Sequence, residues 1–213
     1  MLQPFLARQL SRPTGIVGKY LLGPLWNKRN ARLNQVTLAC LELKAEDRVL
    51  DVGFGGGYLL DRVIAQVERG WAAGIDVSPA MVKNGRARWR KAIAAGRVDV
   101  RVAAAEALPY PDEHLTKVSS VNSIFYWSDV RQGIAEIYRV LEQGGKAVLT
   151  YTCQEDLEKR RFTRHGIKTY DEQEIRLVMA GAGFRAIETI RDRDRHREFI
   201  CMTGLKPVIR STP

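Results

Sequence analysis

Residues 49–57 read Val-Leu-Asp-Val-Gly-Phe-Gly-Gly-Gly, and they constrain the fold more than any other part of the chain. Arg48-Val49-Leu50-Asp51-Val52 has the apolar, β-branched character of a short buried strand. Glycines from Gly53 to Gly57 interrupt it, because glycine reaches backbone conformations closed to other residues and lets a ligand approach the main chain. From Tyr58 to Glu68 the apolar residues Leu59, Leu60, Val63, Ile64 and Val67 fall on one helical face. Trp71–Asp76 then reads as a second strand. A strand, a glycine loop, a helix and a second strand form a unit whose strands lie parallel with helices on the faces of the sheet.

The pattern continues along the chain. Leu33, Val36, Cys40 and Leu41 recur at helical spacing ahead of the first strand. Ser78 and Pro79 open a helix as N-cap and first residue, which runs to about Ala95 and stops at Gly96. Strands are expected at Val98–Val102, Lys117–Val121 and Ala147–Thr152, with a helix at Val130–Leu141 and a turn at Gly144-Gly145. A helix at Asp171–Ala182 ends at Gly183, and Phe184–Ile190 pairs with Glu198–Gly204 as a terminal hairpin. Residues 153–170 read as a loop. A length of 213 residues predicts one domain: a helical lead-in over 1–45, a core over 46–152, and a loop, helix and hairpin over 153–213.

Two acidic residues sharpen the reading of the glycine loop. Asp51 lies at the tip of the first strand, two residues before Gly53, and Asp76 lies at the tip of the next, 19 residues after Gly57. A carboxylate at the second position can accept both hydroxyls of a ribose. A dinucleotide is the obvious competitor, but Asp51 would set a negative charge beside its pyrophosphate. A ligand with a cationic amino group suits Asp51 better, and S-adenosyl-L-methionine has one, together with a ribose and an adenine.

At this point the chain resembles the class I S-adenosylmethionine-dependent methyltransferases, most closely the small-molecule branch that includes ubiquinone/menaquinone-type enzymes. The stretches VLDVGFGGG (49–57), GIDVSPAMV (74–82), AEALPYPDEHL (105–115) and EIYRVLEQGGKAVLT (136–150) carry the resemblance. It implies a Rossmann-like, doubly wound α/β fold with seven strands, the last antiparallel. It also implies that Gly53, Phe54, Gly55 and Gly57 line the methionine part of the cofactor, and that Asp51 holds its amino group. Asp76 would bind the ribose, and Val77 and Met81 would pack near the adenine. An Asp that accepts the adenine amino group in many relatives is replaced by Ala104, which leaves Ala105, Glu106 or the backbone for that end. Asn122 would meet the methionine end.

The methyl acceptor is expected beyond the fourth strand, at VNSIFYWSD (121–129), where Phe125, Tyr126 and Trp127 offer a wall. Phe125 reads chiefly as core. Tyr20, Trp26, Asn27 and Asn30 in the lead-in would add aromatic and amide groups if that segment folds over the cofactor. There is no Asn-Pro-Pro-Tyr, the sequence with which amino-methylating nucleic-acid enzymes hold a flipped base. Cys153 in TYTC reads as a packing residue. Tyr126 or Trp127 stands where relatives often have a histidine, and the histidines here are His114, His165 and His196. No obligatory histidine base is therefore expected, and catalysis rests on alignment of the acceptor.

The net charge of +10 is unevenly placed: +6 over residues 1–41, +5 over 86–101 and +5 over 158–213, against −6 over the remainder. Basic stretches suit nucleic acid or an anionic surface, but they equally describe a solvated face, and RDRDRHRE (191–198) reads as one. Cys40, Cys153 and Cys201 are too scattered for a disulfide framework or zinc site, which favours a reducing, cytoplasmic setting. A basic, acid-free lead-in also resembles a transit peptide, although prolines and glycines punctuate it. Nothing approaches the ~20 apolar residues of a membrane span. The leading expectation is therefore methyl transfer to a small acceptor, with an anionic one allowed by the basic rim. RNA or protein as acceptor, and cofactor binding without transfer, are the alternatives.

Overall fold

The structure is a computed structural model and describes residues 30–159 and 167–209. The expected features at Tyr20, Trp26, Asn27 and His165 lie outside the described residues.

Seven strands form one sheet in the order β3-β2-β1-β4-β5-β7-β6. They are β1 (Arg48–Val52), β2 (Trp71–Asp76), β3 (Val98–Val102), β4 (Leu115–Val121), β5 (Leu141–Thr152), β6 (Arg185–Arg193) and β7 (Glu198–Leu205). The first five pair in parallel, and β7 runs antiparallel to both β5 and β6. The expected architecture is therefore present. Helices α1 (Ala31–Leu41), α2 (Tyr58–Gln66), α3 (Pro79–Arg88), α4 (Arg90–Ala94), α5 (Val130–Val140), α6 (Gln154–Glu158) and α7 (Glu172–Ala182) flank it.

The central strands are uniformly apolar because both faces of the sheet are covered. Val49, Leu50, Ala72, Ala73, Val118 and Ala147 are fully buried. At about 25 cal/mol per Å² of apolar surface removed from water, this layer is the main favourable term in folding. One cluster packs α5 and α7 against β4, β5 and β7; a second packs α2 and α3 against β1, β2 and β3. The chain winds outward from β1 to β3, returns to β4 beside β1, and winds the other way. A crevice opens where the order reverses, outside the carboxyl ends of β1 and β4, and such crevices hold ligands in open α/β sheets.

Four segments differ from the sequence expectation. Strand β5 begins at Leu141 rather than Ala147 and takes in the expected turn at Gly144-Gly145. The helix after Ser78 breaks at Trp89, whose backbone (φ −100°, ψ 20°) ends α3 before α4 resumes. The Trp89 ring is buried, meets Phe54 edge-on at 5.6 Å and donates from Nε1 to Asp61 Oδ1 at 2.8 Å. Within the expected loop 153–170, residues Gln154–Glu158 form α6, anchored by the buried Leu157. The run RDRDRHRE is not wholly solvated: Arg197 is only 8% exposed.

Candidate functional site

A cleft of about 240 Å³ lies over the carboxyl ends of β1, β2 and β4. Asp51, Val52, Gly53, Phe54, Gly55 and Gly56 form its floor, and Ile75, Asp76, Val77 and Met81 form one side. The loop after β3 contributes Ala103, Ala105 and Glu106, and the segment after β4 contributes Asn122, Ser123, Phe125, Tyr126 and Trp127. Asn30, Asn34, Thr152, Leu157 and Arg197 close the remaining side.

The glycine loop is tied down from below. Gly53 and Phe54 N–H both donate to Ile75 O, at 2.8 and 3.2 Å. Gly53 has φ +77°, and a Cβ there would sit 2.5 Å from Ser123 Cβ, so no other residue fits without displacing the β4 segment. Gly55, at φ +51°, faces the other way: a Cβ would meet nothing nearer than Gly53 O at 3.9 Å and would project beside the cleft. The loop thus presents bare backbone to a ligand. Gly57 stands behind it as N-cap of α2 and does not line the cleft. Phe54 borders the cleft with its ring packed on Trp89.

Two carboxylates dominate the electrostatics. Asp51 is 3% exposed and accepts from Ser119 Oγ at 3.2 Å. Burial pushes its carboxyl up to about 7, only partly opposed by the Ser119 hydrogen bond, and the neighbouring Asp76 charge adds to the rise. Asp76 accepts Gly55 N–H at 3.0 Å on Oδ2 and Ser78 N–H at 2.8 Å on Oδ1. Burial raises its carboxyl as well, against those two N–H groups. A cationic ligand would favour the ionised form of the buried Asp51 and the half-buried Asp76, whereas a polyanion would disfavour it.

On the third side, Glu106 Oε1 accepts Ser128 Oγ at 2.8 Å and Asp129 N–H at 3.0 Å. Burial pushes Glu106 up, but the Asp129 N–H and the Ser128 hydroxyl outweigh it and leave its carboxyl lowered. One oxygen of the residue expected to serve the adenine therefore fixes the turn that opens α5. Ala105 is buried against the cleft, whereas Ala104 does not reach it.

Beyond β4 the cleft becomes mixed in character. Asn122 has φ +53°; its Oδ1 accepts Thr152 N–H at 2.9 Å and Thr152 Oγ1 at 3.1 Å, and its Nδ2 donates to Asn30 Oδ1 at 3.1 Å. Arg197 Nη2 donates to the same Asn30 oxygen. Phe125 is 3% exposed and meets Tyr151 edge-on, so it is core first and wall second. Trp127 is 7% exposed, packs on Gly133 and donates from Nε1 to Ser123 Oγ at 3.2 Å. Tyr126 is less buried and lines the cleft directly.

The structure therefore gathers Asp51, Gly53, Gly55, Asp76, Val77, Met81, Ala105, Glu106, Asn122, Asn30, Tyr126 and Trp127 around one cleft. Arg197 and Thr152 escaped the sequence reading. Asp194-Arg195-His196-Arg197 carried the signal for Arg197: Asp194 Oδ1 accepts His196 N–H at 2.7 Å and Arg197 N–H at 3.0 Å, the geometry of an Asx turn. His114 lies at the opposite end of the sheet, 5.6 Å from the Trp71 ring, and neither it nor His196 lines the cleft. Among the described residues no cluster of His, Cys, Asp and Glu could hold a metal ion, and no helix is long and apolar enough to cross a membrane.

Comparison with known proteins agrees with this geometry. A family model described as "Methyltransferase domain" matches residues 49–145. A Bacillus subtilis (strain 168) protein described as the uncharacterized methyltransferase YdaC is 33% identical over 192 residues, covering 88% of this chain and 98% of that one. The ubiquinone/menaquinone biosynthesis C-methyltransferase UbiE of Geobacter sulfurreducens is 29% identical over 181 residues, covering 72% and 71%. Among solved structures, the [4+2]-cyclase SpnF shares the fold with a TM-score of 0.73 at 23% identity, over 97% of this chain and 93% of that one. The chain belongs to the class I S-adenosylmethionine-dependent methyltransferases. Within them it is close to the UbiE and YdaC type, and its cofactor is S-adenosyl-L-methionine.

Proposed function

We propose that the protein methylates a small organic acceptor held between the glycine loop and the Tyr126–Trp127 side of the cleft. The observation that carries this reading is the continuity of the cleft. One cavity of about 240 Å³ joins Asp51 and Asp76 to an aromatic and amide wall. The names of relatives such as UbiE, a ubiquinone/menaquinone biosynthesis C-methyltransferase, support a small acceptor. So does the charge: of all the basic residues in the three basic stretches, Arg197 is the one that lines the cleft among the described residues. A nucleic-acid site would instead present a basic track.

Bound S-adenosylmethionine supplies an electrophilic methyl group on its sulfonium. Asp51, with Gly53 and Gly55, holds the amino-acid end: the carboxylate answers the ammonium and the bare backbone allows close approach. Asp76 binds the ribose hydroxyls through lone pairs beyond those used by Gly55 and Ser78. Val77, Met81 and Ala105 pack the adenine, and Glu106 shapes that end through the turn at Ser128. Asn122, fixed by Thr152, sets the boundary with the acceptor half, where Tyr126, Trp127 and Asn30 orient the acceptor. Tyr20 and Trp26 complete that wall if the lead-in closes over it. Holding the acceptor atom in line with the methyl group is the larger part of the work, because orientation alone can supply several kcal/mol of the barrier.

Incubation with methyl-labelled S-adenosylmethionine and a fractionated cell extract tests this. Label in the low-molecular-weight fraction is the expected result. Label confined to RNA or protein refutes the small-molecule reading, and binding without transfer to any fraction refutes the enzyme.

A further inference from the structure

The cleft is acidic at the cofactor loop, and among the described residues Arg197 is the one cation that lines it. This residue comes from the turn between β6 and β7, three strand positions from β1 in the sheet. Its side chain is 7% exposed, although charged side chains are seldom so buried unless a partner or ligand requires it. Among the described residues, Asn30 and Asp194 help set its direction. Asn30 Oδ1 accepts from Nη2, and Asp194 Oδ2 lies 3.5 Å from Nε. Asp194 also holds the turn itself, through the backbone N–H groups of His196 and Arg197. Asn122 Nδ2 shares the Asn30 oxygen from the opposite side. A guanidinium and two carboxamides thus meet at one corner of the cleft, beside the boundary between its two halves.

We propose that this corner, with Arg197 at its centre, recognises a carboxylate of a molecule bound in the cleft. A planar guanidinium matches a carboxylate in shape and charge, and Arg197 is the one cation among the described residues that line the cleft. This rests on the reading above that cofactor and small acceptor share the cleft. The carboxylate has two sources, the methionyl end of the cofactor or the acceptor, and the chemistry of recognition is the same for both. Asp194 is a positioning residue, since it acts through the turn and the Nε side of Arg197.

Calorimetric titration of the full-length protein separates the sources. The probes are S-adenosylhomocysteine, its analogue lacking the carboxylate, and, on the S-adenosylhomocysteine-loaded protein, benzoate against benzamide. If the cofactor supplies the carboxylate, wild type prefers S-adenosylhomocysteine to its decarboxylated analogue by at least about tenfold. Arg197→Gln then abolishes that preference, and Arg197→Lys restores part of it. If the acceptor supplies it, the loaded protein prefers benzoate to benzamide, and Arg197→Gln abolishes that preference alone. A merely structural role would weaken all four probes alike and would not distinguish charged from neutral. Wild type that shows neither preference overturns the proposal without recourse to a variant. Wild type that fails to bind S-adenosylhomocysteine at all overturns the functional reading instead.

Discussion

Asp51 is where stability and binding should oppose each other most sharply. Its carboxyl rises from 3.8 to about 7 on folding, chiefly because burial strips the charged form of water. The sign follows from linkage. A raised acid carries no penalty below its unfolded value. The penalty grows as pH climbs from 3.8 toward 7 and is constant above that. Holding Asp51 ionised at pH 8 therefore costs the free protein about 4 kcal/mol, falling to about 2 at pH 5 and about 0.5 at pH 4. Asp51→Asn keeps the acceptor that Ser119 Oγ uses and removes the charge. The variant should be more stable than wild type in urea titrations at pH 8, by up to about 4 kcal/mol, with the gain shrinking toward pH 4.

Binding should move the other way. A cationic amino group favours ionised Asp51, so wild-type affinity for S-adenosylhomocysteine should fall about tenfold between pH 8 and pH 6, with a proton released on binding near neutrality. In Asp51→Asn the affinity should drop by at least about a hundredfold at pH 8, because a buried ion pair has lost one partner. The pH dependence should vanish as well. Calorimetry in two buffers of different ionisation enthalpy reads the affinity and the proton together. An Asp51→Asn protein that is less stable than wild type at pH 8, or that binds S-adenosylhomocysteine with the wild-type pH profile, would refute the reasoning.

Other expectations follow from neighbouring geometry. Asp76→Asn should weaken S-adenosylhomocysteine at least about tenfold by calorimetry, since an amide cannot accept Gly55 N–H and Ser78 N–H on both of its positions. Asn122→Gly should lower stability by about 1–3 kcal/mol in urea titrations, because Thr152 loses its acceptor. Asn122→Ala should cost about 1 kcal/mol more, because only the alanine meets strain at φ +53°. Cys40 is lowered to about 7 by its hydrogen bond with Cys201 and, against burial, by nearby Lys146, whereas burial raises Cys153 to about 11. Iodoacetamide at pH 7.5 should therefore label Cys40 before Cys153, as peptide mass spectrometry would show.

What local sequence could specify, it specified well. The ends of β1, β2 and β3 fall where the apolar runs stop, and Ser78, Gly96 and Gly183 cap or close helices as their chemistry requires. Asp51 and Asp76 were legible because a carboxylate at a strand tip beside glycines has few structural uses. The break at Trp89 was not, because a helical pattern does not show that the indole will leave its own helix to support Phe54 and Asp61. Helix α6 was hidden for a related reason: a polar five-residue turn with one apolar residue, Leu157, carries no period. Arg197 was hidden by its neighbours. Alternating charge describes a solvated strand, and only the tertiary contact with Asn30, 167 residues away, reverses that reading.

The division between legible and hidden has a physical basis in the cleft itself. The cofactor end is made by consecutive residues, so its chemistry is written in a few motifs. The rest of the cleft is held by pairs far apart in the chain: Asn30 with Asn122, Asn122 with Thr152, and Glu106 with Ser128 and Asp129. Each pair joins two segments that border the cleft. Replacing Glu106 removes the acceptor for Ser128 Oγ and Asp129 N–H at the turn that opens α5, and replacing Asn122 removes the side-chain acceptor of Thr152. On the proposed reading, substitutions at either residue should change acceptor and cofactor affinity together, whereas changes at Tyr126, which lines the proposed acceptor wall, should act chiefly on acceptor use. Selection for a new acceptor would then act on Tyr126 and leave those bridging residues in place.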